Sequence, residues 1–299
     1  MTFNRGIRLD SGRARGGGGR GRGVAVGGGL GGLVVVVIAL FLGVSPDQLT
    51  GGAPGIGSGV VDPTDPGTGD FSHCQTGEDA NQFVDCRIIA TAESLDAVWA
   101  ELLPASGVEY VQPQLVVFGD QVSTGCGSAS SAVGPFYCPA DQTAYFDTSF
   151  FSVLVDQFGS SGGPLAQEYV VAHEFGHHVQ AQLGLLDGVQ ADPSGAESAA
   201  VRSELQADCL AGVWAGYAAT TPDPDTGVPF LEQLTDADVA DALSAAASVG
   251  DDRIQETAQG RTDPETYTHG TSEQRQRWFT TGYTGGSVDG CDTFSASEL

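Results

Sequence analysis

The sequence predicts an α+β fold, mainly helical with a small sheet, set behind an N-terminal transmembrane helix. Three observations carry that expectation. Apolar residues recur at three- and four-residue steps at Leu165, Tyr169, Val170, Ala172, Val179 and Leu183, and again at Val201, Leu205, Cys209 and Val213; this is the period of a helix with one buried face. Two short runs rich in β-branched and aromatic residues, at 114–118 and 143–147, read as strands. Residues 24–44 are 21 positions without a charge, enough at about 1.5 Å per residue to cross an apolar layer of about 30 Å.

Taken from the start, residues 1–23 hold Arg5, Arg8, Arg13, Arg15, Arg20 and Arg22, a single Asp and many Gly. Such a segment cannot bury a core and is expected to be an unstructured tail. Its six Arg predict a cytoplasmic N-terminus, with everything after the 24–44 anchor extracytoplasmic. A cleaved secretory leader is the competing reading, but the apolar run is longer than a leader core and no small-x-small cleavage site follows it. Residues 45–72 are rich in Gly, Pro, Asp, Ser and Thr and read as a flexible tether. The remaining 227 residues, 73–299, suit one domain with a sizeable core.

The outer part is strongly acidic. Beyond residue 44 there are 6 Arg against 37 Asp plus Glu. Such a surface repels phosphate backbones, which excludes a nucleic-acid partner. All six cysteines, Cys74, Cys86, Cys126, Cys138, Cys209 and Cys291, follow the apolar run, and an even number in an oxidising compartment predicts three disulfides. Sequence proximity favours Cys74 with Cys86 and Cys126 with Cys138, leaving Cys209 for Cys291. No C-x-x-C pair supports the rival use as a zinc-thiolate site.

Within the domain, residues 78–103 read as one long helix or two short ones, the second starting behind Ser94 as N-cap. Residues 125–140 form a disulfide-closed loop between the two strands. A helix over 148–158 leads to the turn at 159–163. Further helices are predicted over 235–248, capped by Thr235, and over 272–283. The charges at 251–253, after a turn at Gly250, either orient a catalytic group or finish a helix, the second being commoner.

The chemistry is concentrated in His173-Glu174-Phe175-Gly176-His177. At about 100° per residue the two His lie about 40° apart and one turn along the axis, so both imidazoles can reach one Zn2+. Glu174 then projects towards the side where a bound water would sit, as its general base. A catalytic zinc also needs a third protein ligand. Glu204, 27 residues after His177 on a second predicted helix, can supply it, and Asp208, one turn further, can accept the free ring N–H of a ligating His. His178 points about 100° away from His177 and His73 borders the tether, so neither is expected to be a ligand.

H-E-x-x-H followed by E-x-x-x-D is similar to the gluzincin pattern of thermolysin-like peptidases. The segments 169–180, 203–216, 268–279 and 134–141 more closely resemble the neutral zinc metallopeptidase family of bacterial membrane-anchored proteins. That resemblance covers about residues 74–294 and implies a zincin-like fold and a zinc site. It says little about substrate. By the same likeness, residues 143–147 would be the edge strand that pairs with substrate backbone. His269 would be the second catalytic residue, donating to the oxyanion that forms during hydrolysis. Tyr267 or Arg275 are alternatives for that role, and helix capping is the alternative role for His269.

The sequence therefore leads to the expectation of a membrane-anchored zinc metallopeptidase, an endopeptidase in type, acting on a peptide or protein substrate outside the cell. The alternatives are hydrolysis of a non-peptide amide such as a cell-wall crosslink, a non-catalytic zinc-binding envelope protein, and a purely structural zinc site. The last would leave Glu174 without a task.

Overall fold

The computed structural model describes residues 2–17 and 69–299. In chain order the elements are strand β1 (Ala14–Gly17), helices α1 (Gly77–Gln82) and α2 (Val84–Leu102), strands β2 (Gln114–Phe118), β3 (Gln121–Thr124), β4 (Gly127–Ser130), β5 (Phe136–Cys138) and β6 (Thr143–Asp147), then helices α3 (Phe150–Asp156), α4 (Pro164–Gln182), α5 (Ala199–Ala218), α6 (Asp236–Ser248), α7 (Asp251–Gln259) and α8 (Ser272–Gly285). Short 3-10 turns link several of them.

Local chemistry sets most of these boundaries. Helices α1, α6 and α8 each start in a capping box, with Thr76 and Asp79, Thr235 and Asp238, and Thr271 and Gln274 satisfying one another's backbone N–H groups. Helix α4 begins with Pro164 at its first position, where a missing N–H is harmless, and α5 is capped by the Ser198 hydroxyl.

Helices α4 and α5 lie side by side at the centre, with α2, α6 and α8 packed around them. Gly176, inside the H-E-x-x-H array, permits that approach: a Cβ there would sit 2.9 Å from the carbonyl oxygen of Ala207 on α5. On the far side of α2 and α4 lies a four-stranded sheet in the order β1-β2-β6-β5, its first three strands parallel and β5 antiparallel to β6. Trp99, Phe146, Phe175, Trp214 and Phe279 fill the space between these layers with almost no exposure. Disulfides join Cys74 to Cys86, Cys126 to Cys138 and Cys209 to Cys291.

Several expectations change here. Ser94 caps nothing: it is buried in the middle of α2, where its hydroxyl accepts the indole N–H of Trp214 at 3.0 Å. Strand β6 is interior, flanked by β2 and β5, so it has no free edge to offer a substrate; β5 is the edge strand on that side. The tail expected to lack structure is ordered from residue 2 to Gly17, with Phe3 and Ile7 in the main core and β1 at the sheet edge. The domain also starts earlier than residue 73, since Phe71 packs into the core. The apolar run 24–44 and most of the tether lie outside the described residues; among the described residues no helix is long and apolar enough to cross a membrane.

Candidate metal centre and cleft

Helix α4 turns His173 and His177 the same way, their ring centroids 4.8 Å apart, and α5 brings Glu204 to face both. Glu204 Oε2 is 3.1 Å from His173 Nε2, and Oε1 is 3.4 Å from His177 Nε2. The donor atoms of these three buried residues all lie within 4.8 Å of one another.

The other ring nitrogen of each His is already engaged. His173 Nδ1 is 2.8 Å from Asp208 Oδ1, and His177 Nδ1 is 2.9 Å from Gln180 Oε1. With both Nδ1–H groups donated to these acceptors, both Nε2 atoms face the Glu204 carboxylate. His177 Nε2 is buried and has no hydrogen-bond partner. An orphaned imidazole nitrogen beside a carboxylate and a second imidazole is what a two-His, one-Glu zinc site requires, so the residues present fit Zn2+.

The electrostatics agree with a cation-binding cluster. Burial alone would raise the Glu204 carboxyl, yet His177, His269 and His173 hold it well below the usual range. Burial would likewise lower His173, but Asp208 and Glu204 outweigh it and push the imidazole up to about 10.

Asp208 is held in turn. Although burial opposes its ionisation, Arg275 keeps it charged, with Nε 2.7 Å from Oδ2 and Nη2 2.9 Å from Oδ1. The Tyr169 hydroxyl donates to the same Oδ1 and accepts from Arg275 Nη2 at 3.1 Å. Arg275 also lines the adjoining cleft, with Nε and Nη2 engaged by Asp208 and Nη1 donating to the Val249 carbonyl at 3.3 Å.

The cleft opens beside this cluster, lined by His173 and Glu204 and among others by Pro135, Phe150, Glu174, Val249, Ile254 and His269. Glu174 reaches it from α4, and burial raises its pKa. His269 forms part of its wall, from the segment between α7 and α8. Its Nδ1 lies 2.8 Å from Thr268 Oγ1 and 3.4 Å from Asp251 Oδ1, leaving Nε2 as the ring atom available to the cleft. Asp251 builds that wall: one of its oxygens accepts the backbone N–H groups of Thr268, His269 and Gly270 at 2.7, 2.6 and 3.0 Å. The 251–253 charges finish no helix: Asp251 and Asp252 stand in the first turn of α7. The helix cap near His269 is Thr271, and Tyr267 does not line the cleft.

The other two histidines stand apart from the site. His178 is buried between Tyr137 and the Val111 carbonyl, and burial pushes it down to about 4, so it is neutral. His73 pairs with Asp85 at 3.1 Å beside Cys74 and Cys86, whose sulfurs are committed to their disulfide. Sequence reasoning missed Gln180 and Tyr169. Both were accessible as helical neighbours, three residues after His177 and four before His173.

Comparison with known proteins agrees with this geometry. The model of the family described as "Putative neutral zinc metallopeptidase" matches residues 5–294. The chain belongs to this family. Relatives of this zinc metallopeptidase family member include the uncharacterized proteins Rv2575 of Mycobacterium tuberculosis and Mb2605 of Mycobacterium bovis, each 58% identical over 100% of both chains. The uncharacterized protein YpfJ of Escherichia coli is 39% identical over 89% of this family member and 88% of its own length. No solved structure matches the chain.

Proposed function

We propose that the chain is a zinc-dependent peptidase that hydrolyses peptide bonds of a protein substrate, with Glu174 as general base and His269 as oxyanion donor. One observation carries this reading: Glu174 and His269 line the same cleft as His173 and Glu204, two members of the His173, His177 and Glu204 set. A structural metal site has no use for either.

When bound by His173, His177 and Glu204, zinc would supply Lewis acidity to the scissile carbonyl and acidify a water. Asp208 and Gln180 fix the ring tautomers that leave both Nε2 atoms free. Glu174, its pKa raised by burial, takes the proton of the attacking water and passes it to the departing amine. His269 Nε2 donates to the carbonyl oxygen as negative charge builds on it. The substrate backbone pairs with β5, the edge strand packed against the helix that carries Glu174, so recognition rests mainly on main-chain groups.

The deciding experiment uses the purified full chain, loaded with zinc and offered a panel of unfolded proteins. Glu174→Gln should retain one zinc per chain and lose turnover by about 10²–10⁴-fold. A variant that cleaves as fast as the parent rules the mechanism out.

A further inference from the structure

Residues 2–17 are bonded into the domain along their whole length. Phe3 and Ile7 are 0% and 1% exposed and belong to the same core as α2 and α4. The Asn4 side chain donates to the carbonyls of Pro229 and Leu231 at 2.9 and 2.8 Å, and Glu232 N–H donates to Thr2 O at 2.7 Å. Further along, β1 pairs in parallel with β2 from Ala14 opposite Leu115 to Gly17 opposite Phe118.

The receiving surface is shaped for this segment and lined with carboxyl groups that accept from it. Gly77 has no room for a Cβ, which would lie 1.9 Å from Asn4 O. The domain offers carboxylates at each step: Glu168 takes the Thr2 hydroxyl, Glu78 takes Arg5 at 2.8 Å, Glu93 takes the Asp10 N–H at 2.7 Å, and Asp96 takes Arg13 at 2.8 Å. Asp96 and Glu168 are buried, so removing the arm would strand them in a low-dielectric interior. The family match, too, begins at residue 5, inside the arm.

We propose that residues 2–17 are a built-in arm of the peptidase domain, and that arm and domain therefore lie on the same face of any membrane the chain meets. Contacts at hydrogen-bond distance cannot be made across a hydrocarbon layer of about 30 Å. A single crossing between residues 17 and 69, with a cytoplasmic tail and an outer domain, is incompatible with this packing. The chain either returns to the face it left or does not cross. The three disulfides select the oxidising face for both parts.

The test uses the full chain in bacterial cells. Ser11→Cys on the arm and Gln259→Cys at an exposed helix end are separately probed with a membrane-impermeant maleimide, before and after lysis. A third protein carries Arg15→Cys with Val116→Cys, register partners across β1 and β2, for cross-linking by a short bifunctional maleimide. The expected result is labelling of both single-cysteine proteins to equal extent at the same stage, with a cross-link inside one chain. Labelling of one site before lysis and the other only after it overturns the proposal. So does a cross-link that joins two chains, or its absence.

Discussion

Gln180 Oε1 lies 2.9 Å from His177 Nδ1, one turn further along the same helix, and it is the counterpart of Asp208 on His173. Its amide nitrogen is fixed by Ser203 O at 2.7 Å and Gln206 Oε1 at 3.0 Å, so the amide is oriented with its oxygen towards the ring. Gln180→Leu removes the acceptor and frees the imidazole to rotate or change tautomer. Zinc affinity should fall by about 10–100-fold in a competition titration against a chromophoric chelator. An unchanged affinity would mean that the helix alone positions His177.

Arg275 and Asp208 make a second test. The pair is 3% and 0% exposed in the side chains, and both guanidinium contacts are short. Arg275→Met leaves a buried carboxylate without its counter-charge and should lower the unfolding free energy by about 3–5 kcal/mol in urea. Arg275→Lys should recover only part of that loss, because one ammonium cannot span both carboxylate oxygens as the fork does. Equal stability of the lysine variant and the parent would show that charge alone suffices.

What the sequence revealed, and what it hid, divides along physical lines. His173, Glu174, His177, Glu204 and Asp208 were legible because helix geometry converts spacing into direction, and two helices with buried stripes have few ways to face each other. The threonine caps at Thr235 and the helix carrying Arg275 were legible for the same local reason. Ser94 misled, since a serine before an apolar run is a capping signal, while its hydroxyl in fact serves an indole 120 residues away. Which of β5 and β6 is the edge was hidden, because strand order is set by non-local pairing. The arm was hidden by composition: many Gly and Arg argue for disorder, yet Phe3 and Ile7 are enough to seat it where the domain supplies a matching edge and carboxylates.

The wall that carries His269 yields a third prediction. Since Asp251 gathers three consecutive N–H groups and also approaches the ring, it positions His269 without touching substrate. His269→Ala should lower kcat by about 10²–10³-fold with little change in KM or zinc content. Asp251→Ala should reproduce most of that kcat loss and lower Tm as well. Full activity in His269→Ala would assign the oxyanion to another donor.

The last prediction concerns pH and does not involve the metal centre. Glu168 is wholly buried on α4; one oxygen takes the Thr2 hydroxyl and the other has no hydrogen-bond partner. Burial raises its pKa, the Thr2 hydrogen bond and Arg87 oppose the rise, and the result is about 7 against 4.5 for the free side chain. A folded-state value above the unfolded one means that the native chain holds this proton more tightly. Its contribution is fully present below about pH 4.5 and is lost as pH rises through about 7, a change of about 3 kcal/mol over the window. Glu93, which burial pushes up to about 8, acts in the same direction over a slightly wider range. Subtracting the Glu168→Gln profile from the parent's isolates the Glu168 part. Urea unfolding of both proteins from pH 4.5 to 8 should give curves that diverge steadily, with the parent losing more. Parallel curves would show that Glu168 is already ionised in the folded chain.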